Sequence, residues 1–471
     1  MADGPVRAVV RVPGSKSATN RALVLAALTE GTSRLRRPLW SRDSRLMVAG
    51  LRHLGVEVTE QVVSPGRSDR PVDDPDAGAD LIVTGHIAPV VAVGAQVDCG
   101  NAGTVSRFLP AVAALARGPV GFDGDPRVRE RPLTPLIDAL RTLGADIDGD
   151  RMPLTVTGTG RLAGGEVTID ATPSSQLVSG LLLAAPRYDA GIVLRHVGGR
   201  VPSGPHLAMT VADLRAAGAI VEVAGPPAGE PPTHRSWRVR PGRLTPLDRM
   251  IEPDLSSATA FAAAAAATGG RVVIADWPTT TEQPGRMLPE LLTAMGCDCS
   301  LTPSGLEVRG PGRLRGIDVD LADHSESAPT LAALATLADS PSRLRGIAHM
   351  RLQETDRLAA LSEELGRLGA DVKVTADGLA ITPRPLTGAR LDPRGDHRLA
   401  MAYAVIGLVV PGVLVDDVAT TGKTVPDFPR RWTAMLAGGP TPSGPDHDGP
   451  DRDGPDGDGP DRDGPPAVRP A

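Results

Sequence analysis

Aromatic residues are scarce in this chain of 471 residues, where Phe, Trp and Tyr together make up 2%. Proteins that bind single-stranded nucleic acid stack the bases on aromatic faces, so the composition argues against a protein of that class. The core must instead be built mainly from Ala, Leu, Val and Ile. With 41% hydrophobic and 23% charged residues, the chain has the balance of a globular protein, and its length suggests two or three domains.

Cysteine is also rare. The three residues Cys99, Cys297 and Cys299 are too few for a disulfide framework, and a single C-x-C pair argues against a zinc site.

The N-terminus, MADGPVRAVVRVPG, contains no apolar segment typical of a secretory signal. The apolar run from Phe261 to Ala267 is far shorter than the ~20 residues of a membrane span. We therefore expect a cytoplasmic protein that has no membrane partner.

Positive charge does not dominate any large part of the chain. The net charge is −6, and residues 439–471 contribute −5 through eight Asp and three Arg, which leaves −1 for the body. A nucleic-acid backbone requires a basic surface, so we expect no nucleic-acid partner.

Residues 439–471 contain a degenerate D-G-P-D repeat with almost no apolar side chains. Such a segment cannot bury enough surface to offset the entropy of ordering, so we predict that it is disordered.

A short pattern recurs five times along the body of the chain. It begins as LRHLGVEV at Leu51 and LRTLGADI at Leu140, and similar segments start at residues 214, 292 and 365. In each copy an amphipathic helix ends, a Gly follows in the left-handed conformation, and a strand begins. The glycines are Gly55, Gly144, Gly218, Gly296 and Gly369. The regular spacing predicts an α/β fold of two domains with three units each, the sixth unit being assembled from both chain ends.

Lysine is the rarest basic residue, with three copies at Lys16, Lys373 and Lys423. Lys16 lies in PGSKSATNR just before an apolar helical segment, and Lys423 lies in the similar segment TTGKT. Small residues, hydroxyl groups and free backbone N–H groups at a helix start are suited to phosphate or carboxylate groups. The Walker A pattern is absent. Lys373 lies in the strand-like segment ADVKVTADG and has the character of ordinary surface charge.

Four other segments combine small or acidic residues with arginine. They are CGNAGTVSR at 99–107, RVRERP at 127–132, QETDR at 353–357 and DHR at 396–398. Each alone is more typical of a helix cap or a surface ion-pair cluster than of a site. Together they suggest a substrate with several anionic groups, although sequence spacing does not establish that the segments meet.

The same segments resemble the 5-enolpyruvylshikimate-3-phosphate synthase family. The matching stretches are PGSKSATNRAL, GNAGTVSRF, RERPLTPLIDAL, ATPSSQ, EPDLSSATAF, ETDRL, DHRLAMA and TTGKTVPDF, which occur in the family's order between Pro13 and Phe428. The resemblance implies two similar domains of three β-α-β-α-β-β repeats, joined by two crossovers near Gly14 and Ile251. It predicts one domain over residues 14–251 and a second over 1–13 and 252–438.

The resemblance implies transfer of the enolpyruvyl group from phosphoenolpyruvate to the 5-hydroxyl of shikimate 3-phosphate, without a metal or an organic cofactor. Two phosphates and two carboxylates require a dense set of cations, and two proton transfers require acid/base groups. The implied catalytic residues are Lys16, Glu326 and Glu354. The implied substrate-binding residues are Lys16, Ser17, Arg21, Gly103, Arg131, Ser174, Ser175, Gln176, Ser203, Glu326, His349, Gln353, Arg357, Arg398 and Lys423. His397 and Asp396 are expected to support the phosphoenolpyruvate end.

The sequence departs from the family pattern at four of these places. Glu326 stands where the family commonly has the Asp that accepts the hydroxyl proton, and it is longer by one methylene. Gln353 replaces a frequent Lys, and His349 replaces a common Asn. After Ser203, His206 occupies a position where Tyr is frequent. The resemblance therefore leaves the contacts of Gln353 and His206 with substrate undetermined.

Two alternative functions are consistent with parts of the sequence. The sister enzyme that transfers enolpyruvyl to UDP-N-acetylglucosamine shares the fold, but most members use a Cys in a mobile loop, and the three Cys residues here lie in other contexts. A non-catalytic binding paralogue would have no need for Lys16, Glu326, Glu354 and Lys423 together. We expect a monomer whose partners are shikimate 3-phosphate and phosphoenolpyruvate.

Overall fold

The computed structural model describes residues 1–62, 79–86, 91, 94–226 and 230–438. The tail at 439–471, for which we predict disorder, lies outside the described residues. The described part of the chain alternates strands and helices throughout, in agreement with the α/β prediction.

The strands of the described part are short and are numbered in chain order. They are β1 (Arg7–Val10), β2 (Gly31–Arg36), β3 (Glu57–Gln61), β4 (Asp80–Gly85), β5 (Ala95–Asp98), β6 (Arg117–Asp123), β7 (Asp146–Asp148), β8 (Leu154–Thr159), β9 (Gly165–Ile169), β10 (Ile192–His196), β11 (Val221–Ala224), β12 (Arg235–Val239), β13 (Asp248–Met250), β14 (Arg271–Ile274), β15 (Asp298–Thr302), β16 (Gly305–Arg309), β17 (Asp318–Asp320), β18 (Ser342–Arg345), β19 (Asp371–Val374), β20 (Leu379–Thr382), β21 (Arg390–Leu391) and β22 (Leu414–Val415).

The helices connect these strands. They are α1 (Lys16–Ala27), α2 (Arg42–His53), α3 (Gly103–Ala113), α4 (Pro126–Glu130), α5 (Thr134–Thr142), α6 (Ser175–Ala184), α7 (Gly204–Ala216), α8 (Leu255–Thr268), α9 (Leu288–Ala294), α10 (Ala328–Thr336), α11 (Arg357–Arg367), α12 (His397–Ile406) and α13 (Phe428–Leu436). The alanine-rich helices α8 and α10 are buried on almost every side, whereas α2 and α11 bury one apolar face. A helix that is apolar all round belongs in the centre of a core.

Five four-stranded sheets share one topology. Their strand orders are β13-β2-β4-β3, β5-β6-β8-β7, β9-β10-β12-β11, β1-β14-β16-β15 and β17-β18-β20-β19. In each sheet the first pair is parallel and the next two pairs are antiparallel. One β-α-β-α-β-β unit is therefore used repeatedly, as the recurring sequence pattern predicts.

The glycines of the recurring pattern adopt the predicted conformation. All five have a positive φ between 82° and 102° and follow the last turns of α2, α5, α7, α9 and α11. A sixth helix ends in the same way, because Gly438 after α13 has a φ of 71°. The sequence pattern missed this sixth junction because no strand-like segment follows it.

The assembly predicted for the sixth unit is wrong in one respect. Its described strands, β21 and β22, form a two-stranded parallel sheet and both come from the C-terminal part of the chain. The N-terminal strand β1 joins a different sheet, in which Val10 pairs with Ile274 of β14. By the same exchange, β13 completes the sheet of β2. The strands next to the two chain crossings, β13 and β1, thus complete the sheets of the first and fourth units, respectively.

The apolar side chains form two separate cores. One runs from Ala18 to Ile251, and the other combines residues between Val6 and Val12 with residues between Leu255 and Met435. The crossings between them lie side by side, since Ser15 N donates to Glu252 O at 2.8 Å and Asp254 N donates to Pro13 O at 2.8 Å. The two cores support the predicted domain boundaries, which remain a prediction.

Neither a membrane-spanning helix nor a cluster of metal-binding side chains is found among the described residues. No described helix is long and apolar enough to cross a membrane. The same residues contain no group of three His, Cys, Asp or Glu side chains that could hold a metal ion. Cys99, Cys297 and Cys299 are free thiols, and burial raises the pKa of Cys99 and Cys297.

Candidate active site

A polar cleft with a cavity volume of about 100 Å³ lies between elements of the two cores. Its walls come from the loops and helix starts that carry the charged motifs. Fourteen of the sixteen predicted site residues line it: Lys16, Ser17, Gly103, Arg131, Ser174, Ser175, Gln176, Ser203, Glu326, His349, Gln353, Glu354, Arg357 and Arg398. The structure therefore brings these distant segments and their cations to one cleft.

The two other predicted residues lie just behind the cleft wall. Arg21 is almost completely buried; its Nη1 donates to the Ser17 hydroxyl, and its Nε donates to Thr210 Oγ1 at 2.8 Å. Lys423 Nζ lies 3.1 Å from Glu354 Oε1, within the same cluster of charges. Both residues thus contact residues of the wall.

Lys16 is the first residue of α1, where Ser15 caps the helix by accepting a hydrogen bond from Ala18 N. Its Nζ atom lies 3.2 Å from Asp43 Oδ2. Burial lowers the pKa of Lys16 below its usual value, although the Asp43 carboxylate acts in the opposite direction. The position places a partly buried cation at the positive end of a helix, an arrangement that attracts anions.

Asp43 is a residue of this cluster that the sequence analysis missed. It lies in the first turn of α2, is buried, and has Oδ2 3.2 Å from Lys16 Nζ and 3.8 Å from Lys423 Nζ. A buried carboxylate between two ammonium groups compensates part of their charge. Its segment, SRDSR, has no feature that distinguishes it from an ordinary helix start.

Glu354 is held between cations at one end of the cleft. Lys423 contacts one carboxylate oxygen at 3.1 Å and Arg357 contacts the other at 3.2 Å. Burial alone would raise the pKa of Glu354, but these neighbours, with Arg131 and Lys16, hold it well below its usual value. Glu354 is therefore ionised near neutral pH.

Arg357 is the most firmly anchored cation of the site. Its Nε and Nη2 atoms donate to the two oxygens of Asp396 at 2.7 and 3.1 Å, and both side chains are buried. Asp396 also caps α12 by accepting from Arg398 N at 2.8 Å. Arg357 donates in addition to the side-chain oxygen of Gln353. The ETDR and DHR motifs are thus joined by one bidentate ion pair.

Small residues and hydroxyl groups form the opposite wall. Ser174 caps α6 by accepting from Gln176 N at 3.3 Å, and Gln176 Oε1 accepts from Arg107 Nη1 at 3.2 Å. Ser203 has a φ of 54° at the start of α7, and its N–H donates to Ala322 O of the other core at 2.8 Å. These contacts place three serines, including Ser175, at helix starts that face the cleft.

Glu326 faces this wall from the second core. It lies in the short turn Ser325–Ser327 before α10, and its Oε1 atom is 3.7 Å from His206 Nδ1. Burial would raise the pKa of Glu326, but the guanidinium groups of Arg398 and Arg357 act in the opposite direction, and the pKa lies below its usual value. The cleft therefore contains two ionised carboxylates, Glu326 and Glu354, among anion-binding groups.

Comparison with known proteins agrees with this arrangement. The family model for EPSP synthase (3-phosphoshikimate 1-carboxyvinyltransferase) matches residues 2–432. A 3-phosphoshikimate 1-carboxyvinyltransferase of Kocuria rhizophila is 51% identical over 442 residues, which cover 92% of this chain and 94% of that protein. The enzyme of that name from Mycobacterium ulcerans is 48% identical over 440 residues, covering 92% and 96% of the two chains.

Solved structures show the same fold. An EPSP synthase structure from Acinetobacter baumannii superposes with a TM-score of 0.71 at 24% identity and covers 93% of this chain and 97% of that one. A second structure from the same organism gives a TM-score of 0.70. The family match over nearly the whole chain and the high identity to curated relatives show that this chain belongs to the EPSP synthase family.

Proposed function

We propose that this chain transfers the enolpyruvyl group of phosphoenolpyruvate to the 5-hydroxyl of shikimate 3-phosphate and releases phosphate, a step towards chorismate and the aromatic amino acids. One observation carries the proposal: a single cleft brings together Lys16, Arg131, Arg357 and Arg398 with the carboxylates of Glu326 and Glu354. Doubly anionic substrates require such a set of cations, and the two proton transfers require acid/base groups beside it.

Shikimate 3-phosphate is assigned to the wall of serines. Ser174, Ser175 and Ser203 offer hydroxyl groups at the positive ends of α6 and α7, which suit a phosphate. Ser17 and Lys16 extend this surface from α1, and Arg21 supports Ser17 through its hydrogen bond. Gln176 and His349 also line the cleft; Gln176 is assigned to the region between the two substrates and His349 to the shikimate ring.

Phosphoenolpyruvate is assigned to the cationic end. Arg131, Arg357, Arg398 and Lys423 would bind its phosphate and carboxylate, and Lys16 would reach it from the other side. Gly103, at the start of α3, leaves room for the ligand beside these side chains. Gln353 contributes through its contact with Arg357.

The chemistry then follows from the positions of the two carboxylates. The 5-hydroxyl oxygen attacks C2 of phosphoenolpyruvate as its proton passes to Glu326, and the methylene carbon C3 gains a proton from Glu354. The cations Lys16 and Lys423 stabilise charge that develops in the tetrahedral intermediate. Loss of a proton from the new methyl group then expels phosphate and restores the double bond. No step requires a metal or a cofactor.

A coupled assay tests the proposal. The protein is mixed with both substrates and no added metal, and phosphate release is followed; controls omit one substrate at a time. We expect release only when both are present. Turnover of UDP-N-acetylglucosamine instead would identify the sister activity. Calorimetric binding of shikimate 3-phosphate without any turnover would identify a binding paralogue.

The predicted location and assembly also belong to this proposal. We propose a cytoplasmic monomer. The three free thiols support the cytoplasmic location, because unpaired Cys residues are typical of a reducing compartment. Light scattering of the purified chain measures its mass and therefore tests the monomer directly.

A further inference from the structure

One polar pair spans the cleft from opposite cores. His206 lies in the first turn of α7, next to the first core, and Glu326 lies before α10, next to the second. We propose that His206 is a positioning residue that holds the carboxylate of Glu326 in the orientation that accepts the substrate's hydroxyl proton. The inference rests on the proposed function, because it concerns the base of that reaction.

The carboxylate of Glu326 needs such a contact. Its Oε1 atom faces His206 Nδ1 at 3.7 Å, whereas Oε2 is buried and has no hydrogen-bond partner within the described part of the chain. A buried oxygen without a partner is costly unless a ligand satisfies it. Glu has three side-chain torsions, so one oxygen must be fixed if the other is to point reliably at a substrate.

His206 is itself held rigidly at its backbone. Its N–H donates to Ser203 O at 3.0 Å, and its carbonyl accepts from Arg21 Nη2 at 3.1 Å and from Thr210 Oγ1 at 2.9 Å. Its side chain is 12% exposed, and that of Glu326 is 18% exposed. The backbone that carries the imidazole is therefore fixed, and the low exposure of both side chains keeps them within the cleft wall.

The charge state of His206 suits a positioning role. Burial lowers its pKa to about 4, with Arg21 and Arg398 acting in the same direction against Glu326 and Asp254. The imidazole is therefore neutral near pH 7, and the tautomer with a proton on Nδ1 presents that proton to a carboxylate oxygen 3.7 Å away, which is longer than a hydrogen bond in this structure. A neutral donor orients the base without neutralising its charge, whereas a fixed cation at that distance would weaken it as a proton acceptor.

His349 is the other imidazole near Glu326, but it has a different place. It belongs to the turn Ala348–Leu352 of the second core, and its Nε2 atom is buried without a partner among the described residues. That free nitrogen lines the cleft and is available to a substrate. His206 is thus the imidazole that reaches Glu326 from the first core.

The test compares His206→Phe, which removes the donor, with His206→Asn, whose amide nitrogen can replace Nδ1. We expect the Phe variant to lose about ten- to a hundredfold in kcat, the scale of a misplaced catalytic group, and the Asn variant to recover most of the loss. The Kd for shikimate 3-phosphate, measured by calorimetry, should change less than threefold. His53→Phe, on the exposed end of α2, is the matched control and should retain wild-type turnover.

A double-mutant cycle separates positioning from other roles. In the Glu326→Gln background, His206→Phe should cost almost nothing, because the group through which it acts is gone. An equal loss in both backgrounds overturns the inference, and so does a weaker Kd for shikimate 3-phosphate with unchanged kcat, which would make His206 a substrate ligand. If the Phe variant does not fold, His206→Leu replaces it in the same cycle. Absence of phosphate release by the wild-type chain would instead overturn the proposed function itself.

Discussion

Lys423 Nζ and Glu354 Oε1 lie 3.1 Å apart although 69 residues separate them in the chain, and each side chain is 11% exposed. With Arg357 on the other carboxylate oxygen, this contact keeps Glu354 ionised. The proposed mechanism requires the opposite state, since Glu354 must deliver a proton to C3. Substrate binding must therefore change the charge balance around this carboxylate.

We predict that phosphoenolpyruvate binding raises the pKa of Glu354. The ligand's anionic groups compete for Lys423 and Arg357, which otherwise hold that pKa low. Calorimetry at slightly acidic pH, in two buffers with different ionisation enthalpies, should detect proton uptake of up to about one proton. The Glu354→Gln variant should take up correspondingly less. Equal uptake by both proteins would show that Glu354 does not gain the proton.

Glu326→Gln should abolish most turnover while leaving substrate binding intact. The amide has nearly the same size but cannot accept the hydroxyl proton, and loss of a general base typically costs about 10²- to 10⁴-fold in rate. Phosphate release measures kcat, and calorimetry measures the Kd for shikimate 3-phosphate. Near-native turnover would remove Glu326 from the role of base.

Gly103→Ala should weaken phosphoenolpyruvate binding. A Cβ atom at Gly103 would lie 2.6 Å from Gln176 Oε1 and 2.8 Å from Nη2 of Arg131, so these flexible ends must move. We expect the KM for phosphoenolpyruvate to rise several-fold to tenfold, with little change in the Kd for shikimate 3-phosphate. Gly366→Ala in α11 is the control, because its Cβ would meet nothing within 4 Å. An unchanged KM for phosphoenolpyruvate would contradict the assignment.

Asp396→Asn should destabilise the fold by about 3–5 kcal/mol, because it leaves the buried guanidinium of Arg357 without its bidentate partner. The Arg357 and Asp396 side chains are 3% and 0% exposed. Urea unfolding measures the difference in the free energy of unfolding. The control is Asp318→Asn, which breaks a surface pair with Arg345 and should cost less than about 1 kcal/mol. The prediction fails if the two variants lose equal stability.

Deletion of residues 439–471 should leave phosphate release unchanged. Among the described residues, which end at 438, both apolar cores and the cleft are already complete enough to hold every assigned site residue. The deleted segment contains eight Asp but almost no apolar side chains that could join either core. Steady-state kinetics of the two chains provide the comparison. A tenfold loss in kcat/KM on deletion would assign the segment a part in catalysis.

The sequence by itself determined the features that depend on a few neighbouring residues. Gly55 and Gly369 are typical: each follows a helix and adopts the predicted positive φ, because Gly alone enters that region without steric cost. Serines before apolar segments, such as Ser15 and Ser174, act as helix caps for the same local reason. The motif resemblance likewise indicated the family and its reaction before any geometry was known.

The tertiary structure alone decided the relationships between distant segments. It placed β1 in the sheet of β14 rather than in the sixth unit, and it put Asp43 between Lys16 and Lys423. It also brought the Arg21 side chain into the wall of the cleft, where its Nη1 atom donates to the Ser17 hydroxyl. Strand pairing and buried ion pairs depend on which surfaces meet after hundreds of residues have folded, and no local pattern encodes that meeting.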